Sequence, residues 1–143
     1  MKYILGTAQF GLDYGISNDS GVIDVDEITK ILKYALKSGV DYLDTANVYG
    51  SSEEKIGQLS KLTKKFKIIT KLAHTKSKYN IDENIQFINH ELNKSFNKLN
   101  CSNVEILLVH NVDDLISHDG DYIYELLKEI KISGRAKKIG ISV

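Results

Sequence analysis

Four residues in the first 110 carry side chains that can hold or exchange a proton: Asp44, Tyr49, Lys71 and His110. Each lies at, or just past, the carboxyl end of a short apolar run. A phenol is protonated at neutral pH, and a nearby ammonium such as that of Lys71 eases release of its proton by favouring phenolate. Asp44 can hold that ammonium in place, and His110 can orient a substrate oxygen by hydrogen bonding. The pattern predicts a proton-transfer site with a charge relay behind it.

The apolar runs predict the strands that position these groups. Their near-continuous Ile, Leu and Val content indicates burial on both faces, which is typical of parallel strands. The predicted strands are residues 3–6, 42–45, 67–71, 104–110 and 138–143.

Four amphipathic segments separate the strands and predict helices, because their apolar residues recur at helical spacing. Their ends carry the residues typical of helix termini. The first segment is preceded by Asp24 and Asp26 and ends at Gly39, the second runs from Ser52 to about Leu62 with Ser51 or Ser52 as N-cap, the third begins near Asp82, and the fourth ends at Gly134.

Repeated strand–helix units imply right-handed crossovers and a parallel sheet. Two architectures fit: an open doubly wound sheet, or part of a (β/α)8 barrel. The turn after the first strand, residues 6–11, contains neither of the glycine-rich phosphate-binding patterns that a nucleotide-binding doubly wound sheet usually carries. The candidate site residues instead follow several different strands, as in barrel enzymes. We therefore predict an α/β fold, a partial (β/α)8 TIM barrel with about five parallel strands and four intervening helices.

Composition sets limits on the class of protein. With 143 residues the chain is one domain, residues 1–143, and 42% hydrophobic and 27% charged residues are typical of a soluble globular protein. The net charge of zero gives no reason to expect binding to nucleic acid or to a membrane surface. The start of the chain, residues 1–6, is too short and too quickly polar for a secretory signal. Together with the lone Cys101, this predicts a cytoplasmic protein.

The segment 44-DTANVYGSSEEKIG-57 closely resembles the signature of the aldo/keto reductase superfamily. Further resemblance lies in the opening residues 5–11, in Thr70 and Lys71, in the strand that ends at His110, and in residues 134–142. The five elements occur in the expected order over the whole chain.

The resemblance implies an NADPH-dependent oxidoreductase that reduces the carbonyl of an aldehyde, a ketone or a sugar. It implies that Tyr49 is the general acid, Lys71 its activator, Asp44 the partner of Lys71, and His110 the group that orients the substrate. It also implies that the nicotinamide is lined by Thr7, Asp44 and Ser142.

Other interpretations stay open. Taken singly, Asp44 fits a turn or a helix cap, Tyr49 a half-buried packing residue, Lys71 a solvated strand end and His110 a structural histidine. Residues 110–121 gather histidines and aspartates but match no metal-site template, so we predict a solvated loop and no metal site. His74, His90 and His118 are expected at the surface, and Cys101 away from the site.

A complete barrel has eight strands and about 250 residues, whereas this sequence ends in its fifth predicted strand. We therefore expect a truncated product or a segment of a longer reductase, with weak NADPH binding and little activity alone. Exposed strand edges predict self-association. The alternative functions are a non-catalytic nicotinamide-sensing or scaffold subunit on the same fold, and a remnant without function. The substrate is not indicated by the sequence, and the preference for NADPH over NADH rests on the resemblance alone.

Overall fold

The structure is a computed structural model that describes residues 3–16, 18–19 and 21–143. Met1 and Lys2, which belong to the segment on which the prediction of no secretory signal rests, lie outside these ranges. The strands of the described residues form one sheet: β1 (Ile4–Gly6), β2 (Tyr42–Asp44), β3 (Lys67–Lys71), β4 (Val104–Val109) and β5 (Ala136–Ile141).

Every neighbouring pair of strands is parallel, and the strand order in the sheet is the order in the chain. A doubly wound sheet instead reverses its order at a switch point. Right-handed crossovers that always move in one direction place all their helices on the same face of the sheet. This is the arrangement of a (β/α)8 barrel, so the prediction of a partial barrel is confirmed.

Helices fill each crossover. In the described residues they are α1 (Ala8–Gly11), α2 (Val25–Lys37), α3 (Ser52–Gln58), α4 (Ser60–Thr63), α5 (Ile81–Leu99), α6 (Asp113–Ile116) and α7 (Gly120–Ile132). The four predicted helices correspond to α2, to α3 with α4, to α5 and to α7. The short helices α1 and α6 were not predicted, because four residues are too few to show a hydrophobic period.

Alternation along the strands gives the sheet two different faces. Leu43, Leu107 and Val109 point to the helices and belong to one hydrophobic core with residues such as Ile28 and Ile123. The residues of opposite parity, including Tyr42, Ile69 and Leu108, lie outside that core, on the concave face that would line a barrel. Asp44 and Lys71 share the parity of this concave face, which places both on the same side of the sheet.

Local sequence sets the helix ends. Of the two aspartates predicted at the start of α2, Asp24 is the N-cap, and its side chain accepts a hydrogen bond from Glu27 N at 2.8 Å, whereas Asp26 lies in the first turn. Asn80 and Glu83 form a reciprocal capping box at the start of α5. Because that box ends the preceding loop at Asn80, α5 begins one residue earlier than the predicted Asp82.

The predicted second helix is wrong as a single unit. Leu59 has φ −88° and ψ 25°, which breaks the helix into α3 and α4. The carbonyl of Ile56 accepts a hydrogen bond from the Thr63 hydroxyl at 2.9 Å, which offsets the loss of its helical partner. Ser51 is the N-cap by position, but its side chain makes no cap hydrogen bond.

Three further predictions are corrected by backbone pairing and burial. Strand β5 begins at Ala136 rather than at 138 and ends at Ile141, because Ala136 pairs with Val104 and Ile141 with Val109. Strands β1, β2 and β4 are one residue shorter than predicted. The expected solvated loop at 110–121 contains α6 and the buried Asp114.

No helix in the described ranges has both the length and the apolar content required to cross a bilayer.

Candidate active site

The four candidate catalytic side chains lie together at the carboxyl edge of the sheet. Asp44 and Lys71 are the last residues of β2 and β3, His110 directly follows β4, and Tyr49 lies in the loop between β2 and α3. Lys71 Nζ is 2.7 Å from Asp44 Oδ1 and 3.3 Å from the Tyr49 hydroxyl. The ring centroids of Tyr49 and His110 are 6.2 Å apart in an edge-to-face arrangement.

The ammonium of Lys71 is almost completely buried, with 4% of the residue exposed. An ammonium has three hydrogens to donate, and three acceptors surround it: Asp44 Oδ1, Thr45 O at 2.9 Å and the Tyr49 hydroxyl oxygen. A buried charge requires such compensation. Since the Tyr49 oxygen accepts from Lys71, its own hydrogen points elsewhere and can be donated.

Two glycines fix the loop that carries Tyr49. A Cβ at Gly11 would overlap the carbonyl oxygen of Tyr49, and a Cβ at Gly50 would overlap the carbonyl oxygen of Gly11. Gly50 also has φ +55°, a conformation that favours glycine. This close approach of α1 to residues 49–52 fixes the backbone position of Tyr49.

Buried hydroxyl groups connect β1, β2 and α3 behind the site. Thr7, Thr45 and Ser52 have no exposed surface. Ser52 Oγ lies 2.9 Å from both Thr7 O and Thr7 Oγ1, and 3.1 Å from Thr45 Oγ1. The Thr7 hydroxyl donates to Asp44 O at 2.9 Å, which couples the network to the site. The sequence marked Ser52 as a possible cap and as part of the segment that carries the resemblance, but this network was not predicted; Thr7 and Thr45, directly after β1 and β2, were the available signal.

Glu53 is a second buried support that sequence reasoning missed. It is 1% exposed, and its Oε1 accepts a hydrogen bond from the Thr70 hydroxyl at 2.8 Å. Burial raises the pKa of Glu53 above its ordinary value. Hydrogen bonds from Thr70 and Ser95 and the charges of Lys98 and Lys71 act in the opposite direction and lower the pKa, but burial is the larger effect. This contact fixes α3 against the residue that precedes Lys71.

His110 is half-buried, and its pKa is lowered by burial first and then by the charges of His74 and Lys71. Its Nδ1 atom is buried without a hydrogen-bond partner among the residues that the structure describes. A proton on Nδ1 would therefore be an unsatisfied buried donor. The neutral ring with its proton on Nε2 is favoured, and Nε2–H is the group that can reach a substrate.

The remaining predicted positions separate into those near the site and those away from it. His90 and His118 are exposed, as predicted. His74 also lies at the surface, with 42% of its side chain exposed, and its ring in addition stacks on that of His110, which was not predicted. Within the described ranges no group of three or more His, Cys, Asp or Glu residues could hold a metal ion.

Cys101 lies at the opposite, amino edge of the sheet, beside a cleft of about 490 Å³. Burial is the main cause that raises the pKa of its thiol to about 11, and the charge of Glu53 adds to it. The thiol is therefore neutral near pH 7 and a poor nucleophile.

Comparison with known proteins extends these observations to a family. The model of the aldo/keto reductase family matches residues 2–143. The chain belongs to the aldo/keto reductase family. Among curated proteins no sequence gives a match.

Solved structures of aldo-keto reductases share the fold. PA4992 of Pseudomonas aeruginosa, assigned to the aldo-keto reductases, has 26% identity and a TM-score of 0.76 over 97% of this chain and 54% of its own. AKR11C1 of Bacillus halodurans, in a holo form, has 22% identity and a TM-score of 0.72 over 99% of this chain and 45% of its own. AKR2E4 of Bombyx mori, in complex with NADP, has 23% identity and a TM-score of 0.65 over 96% of this chain and 45% of its own. This aldo/keto reductase chain spans about half the length of these structures.

The nicotinamide end of such a cofactor requires open space beside polar groups. Gly6 lies beside Asp44 on the concave face, and a Cβ there would meet nothing within 4 Å, so this face is open next to Asp44. Asp44 keeps 31% of its side chain exposed, and the half-buried Ser142 follows β5, which together offer an acceptor and a hydroxyl. Thr7 differs, because its hydroxyl is buried inside the protein network. These residues fit the nicotinamide end, with Thr7 as a support behind Asp44.

Proposed function

We propose that this site reduces the carbonyl group of an aldehyde, a ketone or a sugar to an alcohol with NADPH. One observation carries the proposal: a buried ammonium, Lys71 Nζ, contacts both a carboxylate and a phenol whose hydrogen is free to be donated. A phenol so placed is suited to protonate an oxygen on which negative charge develops.

The chain's own groups have separate roles in this proposal. His110 donates a hydrogen bond from Nε2 to the carbonyl oxygen and orients it. Tyr49 gives its proton to that oxygen as the C=O double bond becomes a single bond. Lys71 stabilises the phenolate that remains, and Asp44 compensates the buried charge of Lys71.

NADPH, when bound, supplies the hydride that forms the new C–H bond at the carbonyl carbon. We propose Asp44 and Ser142 as residues that contact its nicotinamide end, with Thr7 holding Asp44 in place from behind.

The test is NADPH oxidation by the polypeptide that carries these residues, with a panel of aldehydes, ketones and sugars. We expect turnover of at least one class of carbonyl, and one alcohol formed for each NADPH consumed. A second candidate function, nicotinamide sensing, is favoured if NADPH binds and no panel member is reduced. Absence of both binding and turnover would contradict both functions.

A further inference from the structure

His74 lies three residues past Lys71 and brings a second imidazole to the site. The Leu72 N–H donates to Leu108 O at 2.8 Å, which continues the pairing of β3 with β4 beyond the end of the strand. His74 and His110 are therefore neighbours on the two adjacent backbone segments that continue β3 and β4. Their ring centroids are 5.0 Å apart with an interplanar angle of 24°, a stacked arrangement.

A buried carboxylate fixes the other side of His74. Asp114 of α6 is 8% exposed. Its Oδ1 accepts hydrogen bonds from the hydroxyl of Thr75 at 2.6 Å and from Thr75 N at 3.3 Å, and its Oδ2 lies 3.4 Å from His74 Nδ1. Because a buried carboxylate is held by its donors, Asp114 provides a fixed acceptor for one nitrogen of His74.

We propose that His74 and Asp114 form a positioning pair that fixes the plane of the His110 ring. The inference rests on the proposed function, in which His110 orients the substrate. The stacked ring of His74 covers one face of His110, while Tyr49 meets that ring edge-on at 88°. Between these two contacts, rotation of the His110 ring would cost packing on both sides.

In the second part of the proposal, His74 disfavours a second proton on the stacked ring of His110. A doubly protonated His110 would compete with Tyr49 as the acid and would repel Lys71. Burial, the charge of His74 and that of Lys71 all lower the pKa of His110, whereas Asp44 and Asp114 raise it, so within the pair this effect belongs to His74 alone. The ionisable groups that face His110 are Asp44 of β2, Tyr49 of the following loop, Lys71 of β3, His74 of the next loop and Asp114 of α6.

The test is an NMR titration of the imidazole signals, since the chain has four histidines. His74→Phe keeps an aromatic ring on His110 but removes the charge and the bond to Asp114. We expect the titration midpoint of His110 to move to higher pH in this variant. The matched control His90→Phe removes an exposed imidazole on α5 and should leave the midpoint unchanged.

Two further variants separate the two parts of the proposal. In His74→Ala the stacked ring is lost, and the nuclear Overhauser contacts between His110 and Tyr49 should weaken as the His110 ring gains freedom. In Asp114→Asn the contacts between His74 and His110 should weaken. Unchanged titration of His110 in His74→Phe, together with unchanged ring contacts in His74→Ala, would overturn the proposal.

Turnover assays distinguish failure of this inference from failure of the proposed function. For an active reductase, the acid limb of the pH profile of kcat/KM should move to higher pH in His74→Phe. The NMR titration requires no turnover, so a shifted His110 midpoint in a protein without reductase activity would retain the positioning pair and contradict the proposed function. A profile and a midpoint that both stay fixed in an active enzyme would contradict only the positioning pair.

Discussion

The substitution Lys71→Met removes the charge that links Asp44 to Tyr49 while keeping a long apolar side chain. Lys71 donates to all three of its acceptors from a position with 4% exposure, so no water can take its place without rearrangement. Proton transfer by a positioned side chain contributes about 10²–10⁴-fold to a rate. We expect the reduction rate of Lys71→Met to fall by about that factor, because Tyr49 loses the charge that stabilises its phenolate.

The effect on folding should be smaller than for a fully buried ion pair. Breaking such a pair costs about 3–5 kcal/mol when the remaining charge stays buried. The side chain of Asp44 is 31% exposed and can be solvated in part, so we expect a loss of about 1–3 kcal/mol in the free energy of unfolding. Urea denaturation of both proteins measures this difference.

Lys67→Met is the matched control. Lys67 lies on the same strand with the same parity, is exposed, and has its ammonium 5.2 Å from the centroid of the Tyr42 ring. This variant should keep turnover within about threefold of the unmodified chain, since surface substitutions change energies by about 0.5 kcal/mol or less. If Lys71→Met retained turnover within that same range, the charge relay would be refuted.

Three further predictions concern the surroundings of the site. Gly11→Ala should lower the free energy of unfolding by about 1–3 kcal/mol, as overpacking does, and should reduce turnover, because its Cβ overlaps Tyr49 O. Gly6→Ala is the control for stability, because a Cβ at that position meets nothing within 4 Å. Equal stability of the two variants would contradict the prediction. Because the pKa of Glu53 is raised in the folded protein, its contribution to stability is fully present below the ordinary value of 4.5 and is lost as the pH rises through the raised value. Glu53→Gln should therefore gain stability relative to the unmodified chain as the pH rises from about 4.5 to 7. A constant difference in the free energy of unfolding between the two proteins across this range would contradict the prediction. Cys101, with a pKa raised to about 11, should react slowly with iodoacetamide near pH 8 and faster only as the pH approaches its pKa. Rapid alkylation at pH 7 in the folded protein would contradict the burial of the thiol.

Several features of the fold could be predicted because the signals are local. Apolar runs before Asp44 and Lys71 gave the positions of β2 and β3, and Asp24 marked the start of α2. The sequential strand order is not local, and it was reached through the absence of glycine-rich phosphate motifs and the distribution of the polar strand ends. The break at Leu59 was missed, because the hydrogen bond from Thr63 to Ile56 that compensates it is not revealed by hydrophobic periodicity.

The residues of the site likewise divide into those indicated by local sequence and those that depend on tertiary contacts. Asp44, Tyr49, Lys71 and His110 could be proposed from their place after strands, and the structure brings all four together. The supports came from tertiary contacts between residues far apart in sequence. Thr7 and Ser52 are 45 residues apart, and His74 and Asp114 are 40 apart, so no pattern in either segment indicates the other.

Self-association through the strand edges stays a prediction. The described residues of β1 and β5 each pair with one neighbour in the sheet. Such edges can pair with another strand. Sedimentation at several protein concentrations measures the association directly.

Tyr49→Phe tests the central claim most directly, because it removes one oxygen atom and leaves the ring that contacts His110 and Lys71 in place. The measurement is the rate of NADPH-dependent carbonyl reduction beside the affinity for NADPH, with Tyr34→Phe, at a residue that is 73% exposed, as control. We expect unchanged NADPH affinity and a rate lowered by about 10²–10⁴-fold in Tyr49→Phe alone. Equal rates in the two variants would show that the phenol of Tyr49 is not the proton donor.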